Sequence, residues 1–222
     1  MPASVSPDIF DFLRLLSENN NREWFTENKH LYTNAQQHMV AFIEDLIKEM
    51  AGFDADLAKI DARKSLFRIY RDTRFSKDKT PYKTNFGASL GMGKGSRKGG
   101  YYLHLEPGKS FIAGGIYMPE PAVLKELRKE ISLYGEEFLA VIHQKDFKKH
   151  FPQLDQDDKL KNVPQGFEKD DPMADYLKLK SFIAVYDIKD KELTDKNAVK
   201  KLTSVFSLMK PLNDFLNAPL SV

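Results

Sequence analysis

Tyr101-Tyr102-Leu103-His104-Leu105-Glu106-Pro107-Gly108-Lys109-Ser110-Phe111-Ile112-Ala113-Gly114-Gly115-Ile116-Tyr117 is the stretch that decides the fold. Two strand-like runs, Tyr101 to Glu106 and Ser110 to Tyr117, flank Glu106-Pro107-Gly108-Lys109. Proline followed by glycine between such runs is a turn signature, so the stretch reads as a hairpin, whose strands are antiparallel. Side chains alternate across a strand, which sets Tyr102, His104 and Glu106 on one face and Tyr101, Leu103 and Leu105 on the other.

Upstream, Asn85 to Leu90 alternates Phe86, Ala88 and Leu90 against Asn85, Gly87 and Ser89. Ser65 to Asp72 alternates Phe67 and Ile69 against Arg68 and Tyr70, the period of a half-buried strand. Downstream, Phe182 to Ile188 is rich in aromatic and β-branched residues and reads as another strand. Helical spacing frames these runs. Ser6-Pro7-Asp8 starts a helix over 7–18, which Asn19-Asn20-Asn21 breaks. A second helix is expected from an Asn21 cap, with an apolar stripe from Trp24 to Met50 and Gly52 as its stop. Pro119 and Pro121 open a further helix, another carries Phe138 to Ile142, and 152–175 reads mostly as loop. Asn197 to Phe215 closes the chain as a helix interrupted or kinked at Pro211. The order predicts an α+β fold: a mainly antiparallel sheet of about four to six strands, packed with helices from both ends of the chain. With no repeat and no long linker, 1–222 is expected to be one domain.

Composition narrows the function classes. The chain is 41% hydrophobic and 30% charged, and it contains no cysteine. Disulfides, thiolate nucleophiles and zinc–thiolate sites are thereby excluded. No apolar run approaches the roughly 20 residues needed to span a bilayer, and the first residues lack a secretory pattern. A cytoplasmic protein without membrane contact is the expectation. The formal net charge is only +2, yet residues 63–83 hold eight cations and two anions. Positive charge focused this tightly attracts phosphates, carboxylates or a nucleic-acid backbone.

Two constellations could carry chemistry. If Phe67 and Ile69 face the core, then Arg68, Tyr70 and Asp72 share the opposite face with Asn85, Ser89, Tyr102, His104 and Glu106 as a polar basin. His104 would act there as acid or base, with Asp72 or Glu106 orienting it. The second is Arg71-Asp72-Thr73-Arg74-Phe75-Ser76-Lys77-Asp78-Lys79-Thr80-Pro81-Tyr82-Lys83, an anion platform or a self-paired charge lattice. Here Arg68, Arg71, Arg74, Lys77, Lys79 and Lys83 would meet an anion, while Tyr70 and Tyr82 stack or hydrogen-bond. The glycine-rich run from Gly91 to Gly100 is a flexible hairpin tip or lid, since Lys94 is followed by glycine, unlike a P-loop lysine. The histidines form no metal-ligand spacing, and neither a metal nor a cofactor is expected.

The run from Phe67 to Thr84 resembles the signature of the domain-of-unknown-function 2461 family, found in bacteria and fungi. Asn20-Asn21-Arg22-Glu23-Trp24-Phe25, Tyr101 to Leu105, Gly114 to Pro119, Arg128 with Ile131, and the Pro164–Gly166 segment are also similar to it. The resemblance spans nearly the whole chain and implies one full-length domain, but no activity and no catalytic residues. Three readings follow. The first is binding of a phosphate-bearing ligand, a nucleotide or nucleic acid, through 63–83. The second is an enzyme acting on a small anionic substrate in the basin. The third is a protein-interaction module braced by ion pairs.

Overall fold

The computed structural model describes residues 4–91 and 97–220. The elements run α1 (Pro7–Glu18), α2 (Arg22–Glu27), α3 (Lys29–Met50), α4 (Ala62–Ser65), β1 (Phe86–Leu90), β2 (Gly100–Leu105) and β3 (Ser110–Ile116). They continue as α5 (Pro121–Leu133), α6 (Gly135–Ile142), α7 (Lys145–His150), α8 (Ala174–Leu177), β4 (Phe182–Ile188), α9 (Asp190–Leu193) and α10 (Ala198–Asn217). Short 3-10 turns occupy Ala55–Lys59 and Ala218–Leu220. The strands form one antiparallel sheet in the order β1-β2-β3-β4. The fold is α+β, with four strands at the low end of the expected range.

The β2–β3 hairpin forms as read. Lys109 N–H donates to the Glu106 carbonyl at 2.9 Å, and Gly108 takes φ 74°, the positive value that a type II turn needs after proline. Leu103 and Leu105 are buried while Tyr102, His104 and Glu106 are half-buried, so β2 keeps its two-residue period. The tip residues 92–96 of the glycine-rich run lie outside the described residues.

Contacts divide the chain into two compact units. One comprises Met1–Leu90, Tyr102–Ile112 and Asp187–Ser204, the other Gly91–Tyr101, Ala113–Tyr186 and Val205–Val222. In the first, α1 packs on α3 through the buried Ile9, Phe12, Leu13 and Leu16 and the stripe Ala35, Met39, Phe42, Ile43 and Leu46. Phe12 meets Tyr32 and Phe86 at ring-centroid distances of 5.8 and 6.1 Å, which ties both helices to β1. In the second, Phe138 packs against Tyr176 and Phe215, and Tyr101 sets its ring edge-on to Phe206.

Three expectations are corrected. The long second helix divides at Asn28, whose side-chain amide donates to the Trp24 carbonyl at 2.9 Å and so closes α2. The α3 helix begins without a side-chain cap, the Asn28 side chain being turned back onto α2. The 65–72 strand does not form. Asp61 caps the short α4 by accepting from Lys64 N–H, and only two bridges follow, Leu66 with Ala88 and Tyr70 with Tyr82. Four steps on one side oppose six on the other, so the ladder slips between the bridges. The period is lost with it, for Ile69 is 1% exposed and Phe67 46%. Finally, of the two outcomes expected at Pro211 interruption is not found: α10 runs through it, carried by the buried Leu212, Asn213 and Leu216 beyond it.

Candidate functional site

The segment between the two bridges is held against α1 and α2 by its last aromatic residue. Asn20 Nδ2 donates to the Tyr82 carbonyl at 3.0 Å, and Tyr82 N–H donates to Asn20 Oδ1 at 3.1 Å. Asn21 caps α2 by accepting from Trp24 N–H, which aims Phe25 so that its ring stacks on Tyr82 at 4.0 Å. Tyr70 packs edge-on to Phe25 from the other side of the bridge. Burial pushes the Tyr82 phenol above its usual range, and Tyr70 adds to the shift. Tyr70 and Tyr82 therefore belong to this clamp.

The basic tip beyond the clamp neutralises much of its own charge. Arg71 donates to Asp78 and to both the hydroxyl and the carbonyl of Thr80. Arg74 forks onto Asp72, with Nε and Nη2 at 3.0 and 2.7 Å from the two carboxylate oxygens. Lys79 Nζ donates to the Thr73 carbonyl at 2.8 Å. The Thr80 backbone N–H, then Arg71 and the Thr80 hydroxyl, lower the Asp78 carboxyl to about 2. The Arg74 side chain first, then its backbone N–H, holds Asp72 below its ordinary value.

Three cations between Leu66 and Thr84 make no ion pair with that lattice, although the charge of Arg68 reaches Asp72. Among the described residues no carboxylate lies within ion-pair distance of Arg68, Lys77 or Lys83. Lys83 Nζ sits 5.5 Å from the centre of the Phe67 ring. Its pKa is lowered, first by burial and then by the charge of Arg68. Arg68 and Lys83 are thus like charges that feel one another, neither of them in an ion pair of 4 Å or less, and Arg68 also lies close enough to Asp72 to help hold its carboxyl down.

Phe67 joins this pair to the basin, its ring 6.0 Å from that of Tyr102. The Tyr102 hydroxyl lies 3.1 Å from His104 Nδ1, and Asn85 Nδ2 lies 3.3 Å from the same nitrogen. His104 Nε2 is 3.2 Å from Glu106 Oε2. An amide nitrogen only donates and a carboxylate only accepts, so the network sets the neutral ring: Nδ1 accepts and Nε2–H donates. Phe111 stacks under the imidazole at 4.6 Å, with the planes 14° apart. Gly87 makes room for the phenol, because a Cβ built there would stand 2.5 Å from the Tyr102 oxygen. Burial also pushes the Tyr102 phenol above its ordinary value.

Of the residues expected in the basin, Asn85, Tyr102, His104 and Glu106 come together, with Phe67 and Lys83 at its border and the charge of Arg68 felt at Lys83. Asp72 is paired with Arg74, and the carboxylate on His104 is Glu106. Sequence reasoning did not find Asn20 as the holder of Tyr82, Thr80 as a partner of Arg71, or Phe111 as the support of His104. Asn20 lies 62 residues from Tyr82, so no local period joins them. Phe111 was legible in principle, since it sits on the hairpin strand beside β2.

In the second unit a cleft of about 210 Å³ is lined by His143, Phe147, Gln153, Lys159, Asp175 and Tyr176 among others. Its charges pair with one another, Lys159 and Lys178 both reaching Asp175. Among the described residues no group of three or more His, Asp or Glu gathers as a metal cage, and no helix is long and apolar enough to cross a membrane.

A family model described as a conserved hypothetical protein (DUF2461) matches residues 8–215. The chain belongs to that family. No curated protein and no solved structure matches the chain. In this member of the family, the motif from Phe67 to Thr84 contributes three things: the clamp, the charge lattice, and the open pair Arg68 and Lys83.

Proposed function

We propose that the protein binds a small phosphate-bearing ligand where Arg68 and Lys83 border the polar basin. One observation carries this reading: two cations close enough to repel one another are held in no ion pair, and Lys83 sits over Phe67 beside a cluster of hydrogen-bonding groups. An anion there would relieve their mutual repulsion, and a guanidinium fork with a flexible ammonium suits phosphate oxygens. Asn85 keeps a second amide hydrogen to donate, and Phe67 offers an apolar face for the rest of the ligand. A small ligand fits better than a polynucleotide, since Arg71, Arg74 and Lys79 already have partners in the loop.

The ion pairs of the tip favour a second reading, in which the loop is a braced interaction module. Amide chemical shifts on adding inorganic phosphate separate the two. Changes centred on Phe67, Lys83, Asn85 and His104 are expected from the first reading. Changes confined to 72–80, or none, favour the second.

A further inference from the structure

We propose that Tyr102 is a nucleophile for phosphoryl transfer, activated by His104 and oriented through Glu106. The choice of a phosphoryl group rests on the anion site proposed above at Arg68 and Lys83; the activation of the hydroxyl does not. Three side chains on one face of β2 form a chain of hydrogen bonds, from the Tyr102 hydroxyl to His104 Nδ1 and from His104 Nε2–H to Glu106. This is the logic of a base that accepts a hydroxyl proton while a carboxylate fixes its tautomer and steadies the imidazolium. Residues two apart on a strand share a face, so the backbone itself sets the order hydroxyl, base, carboxylate.

The surroundings keep that order in place. Phe111 stacks on the imidazole and holds it from its face, while the Tyr102 hydroxyl is the nearer of the two donors that share the one Nδ1 lone pair, at 3.1 Å against 3.3 Å for Asn85. The absence of a side chain at residue 87 lets the phenol lie across β1 within reach of His104. His104 and Glu106 keep only 15% and 26% of their side-chain surface exposed, which shields their pairing from bulk water. Cross-strand ion pairing on a solvated sheet face needs neither a space cleared at residue 87 nor a phenol aimed at the imidazole.

In the reaction, the Tyr102 oxygen forms a bond to phosphorus as its proton moves to His104 Nδ1. The bond from phosphorus to the leaving oxygen breaks with its electron pair, and that oxygen takes the proton from the imidazolium. Water then cleaves the tyrosyl phosphate, returning the proton to the phenol and releasing phosphate. No oxidant, reductant or metal enters the balance.

A fluorophosphonate probe tests the activation directly in the intact protein. The probe's P–F bond breaks, fluoride leaves, and the label stays on the attacking oxygen, where peptide mass spectrometry finds it. Tyr117 is the internal reference, because it is 72% exposed whereas Tyr102 is half-buried. Exposure alone makes Tyr117 the faster. Activation makes Tyr102 faster by at least about tenfold, the lower end of what a positioned base supplies being higher still.

His104→Gln is expected to bring Tyr102 down to the rate of Tyr117 or below, with Tyr117 unchanged as evidence that the fold persists. Gly87→Ala leaves His104 in place but displaces the phenol, and the same loss is expected. The proposal is overturned if wild-type Tyr102 labels no faster than Tyr117, or if its rate ignores both substitutions. The probe carries no negative charge, so slow labelling of Tyr102 counts against the activation itself, whereas a failure of wild type to bind inorganic phosphate counts against the anion site alone.

Discussion

A single side chain, Asn20, satisfies both backbone polar groups of Tyr82, accepting from its N–H at 3.1 Å and donating to its carbonyl at 3.0 Å. The amide mimics a strand partner for a residue that sits where the ladder slips. It also fixes where the basic segment turns back, and so where Lys83 emerges. Tyr82 is buried, and water cannot readily replace a lost partner there.

Asn20→Ala is therefore expected to lower stability by about 1–3 kcal/mol, the cost of leaving buried polar groups unpaired. Urea denaturation of the variant beside wild type measures it. An unchanged midpoint would show that Tyr82 finds other partners and that the clamp is incidental.

The tip of the segment carries a pH signature. Asp78 titrates at about 2 in the folded protein, against an ordinary aspartate value of about 3.9. A depressed folded value means that Asp78 contributes stability above the unfolded pKa and loses that contribution as pH falls through about 2. The difference in stability between wild type and Asp78→Asn should accordingly shrink between those two values. Carbon-detected titration of the Asp78 carboxyl checks the premise, and a midpoint near the ordinary value would contradict the lattice of Arg71, Asp78 and Thr80.

Lys83 offers the opposite sign. Burial and the neighbouring Arg68 disfavour its charged form, so an anion that binds between them raises its pKa. Phosphate binding at alkaline pH is then expected to take up protons. Calorimetry in buffers of different ionisation enthalpy reads this uptake directly, and Lys83→Ala should abolish it. Binding with no proton linkage at any pH would place the anion elsewhere.

Most of the fold was legible because its signals are local. The Pro107–Gly108 turn, the β2 alternation and the Ser6-Pro7-Asp8 helix start each depend on neighbours in sequence, and each formed. The segment after Ser65 was not legible, because Phe67 and Ile69 obey a strand period that the slipped pairing with 82–88 then breaks. The same holds for the site. His104 and Glu106 stand two apart on one strand and could be read as a pair, and the structure places them within 3.2 Å. Asp72 looked equivalent by charge and by alternation, yet Arg74, two residues on, captures it locally. Which cations of the segment remain open depends on the path of a loop, and no sequence period encodes that path.

The proposed anion site has Arg68 and Lys83, and not the tip lysines, meeting the ligand. Its most direct measurement is calorimetric titration of wild type, Lys83→Ala and the Lys77→Ala/Lys79→Ala double variant with inorganic phosphate and with nucleotides, at two salt concentrations. A charge-assisted hydrogen bond contributes about 1.5–3 kcal/mol, so Lys83→Ala should weaken binding by about tenfold or more. The double variant should stay within about twofold of wild type, and added salt should weaken all three. Loss of binding in the double variant with Lys83→Ala unaffected would contradict the account, as would the absence of salt-dependent binding in wild type.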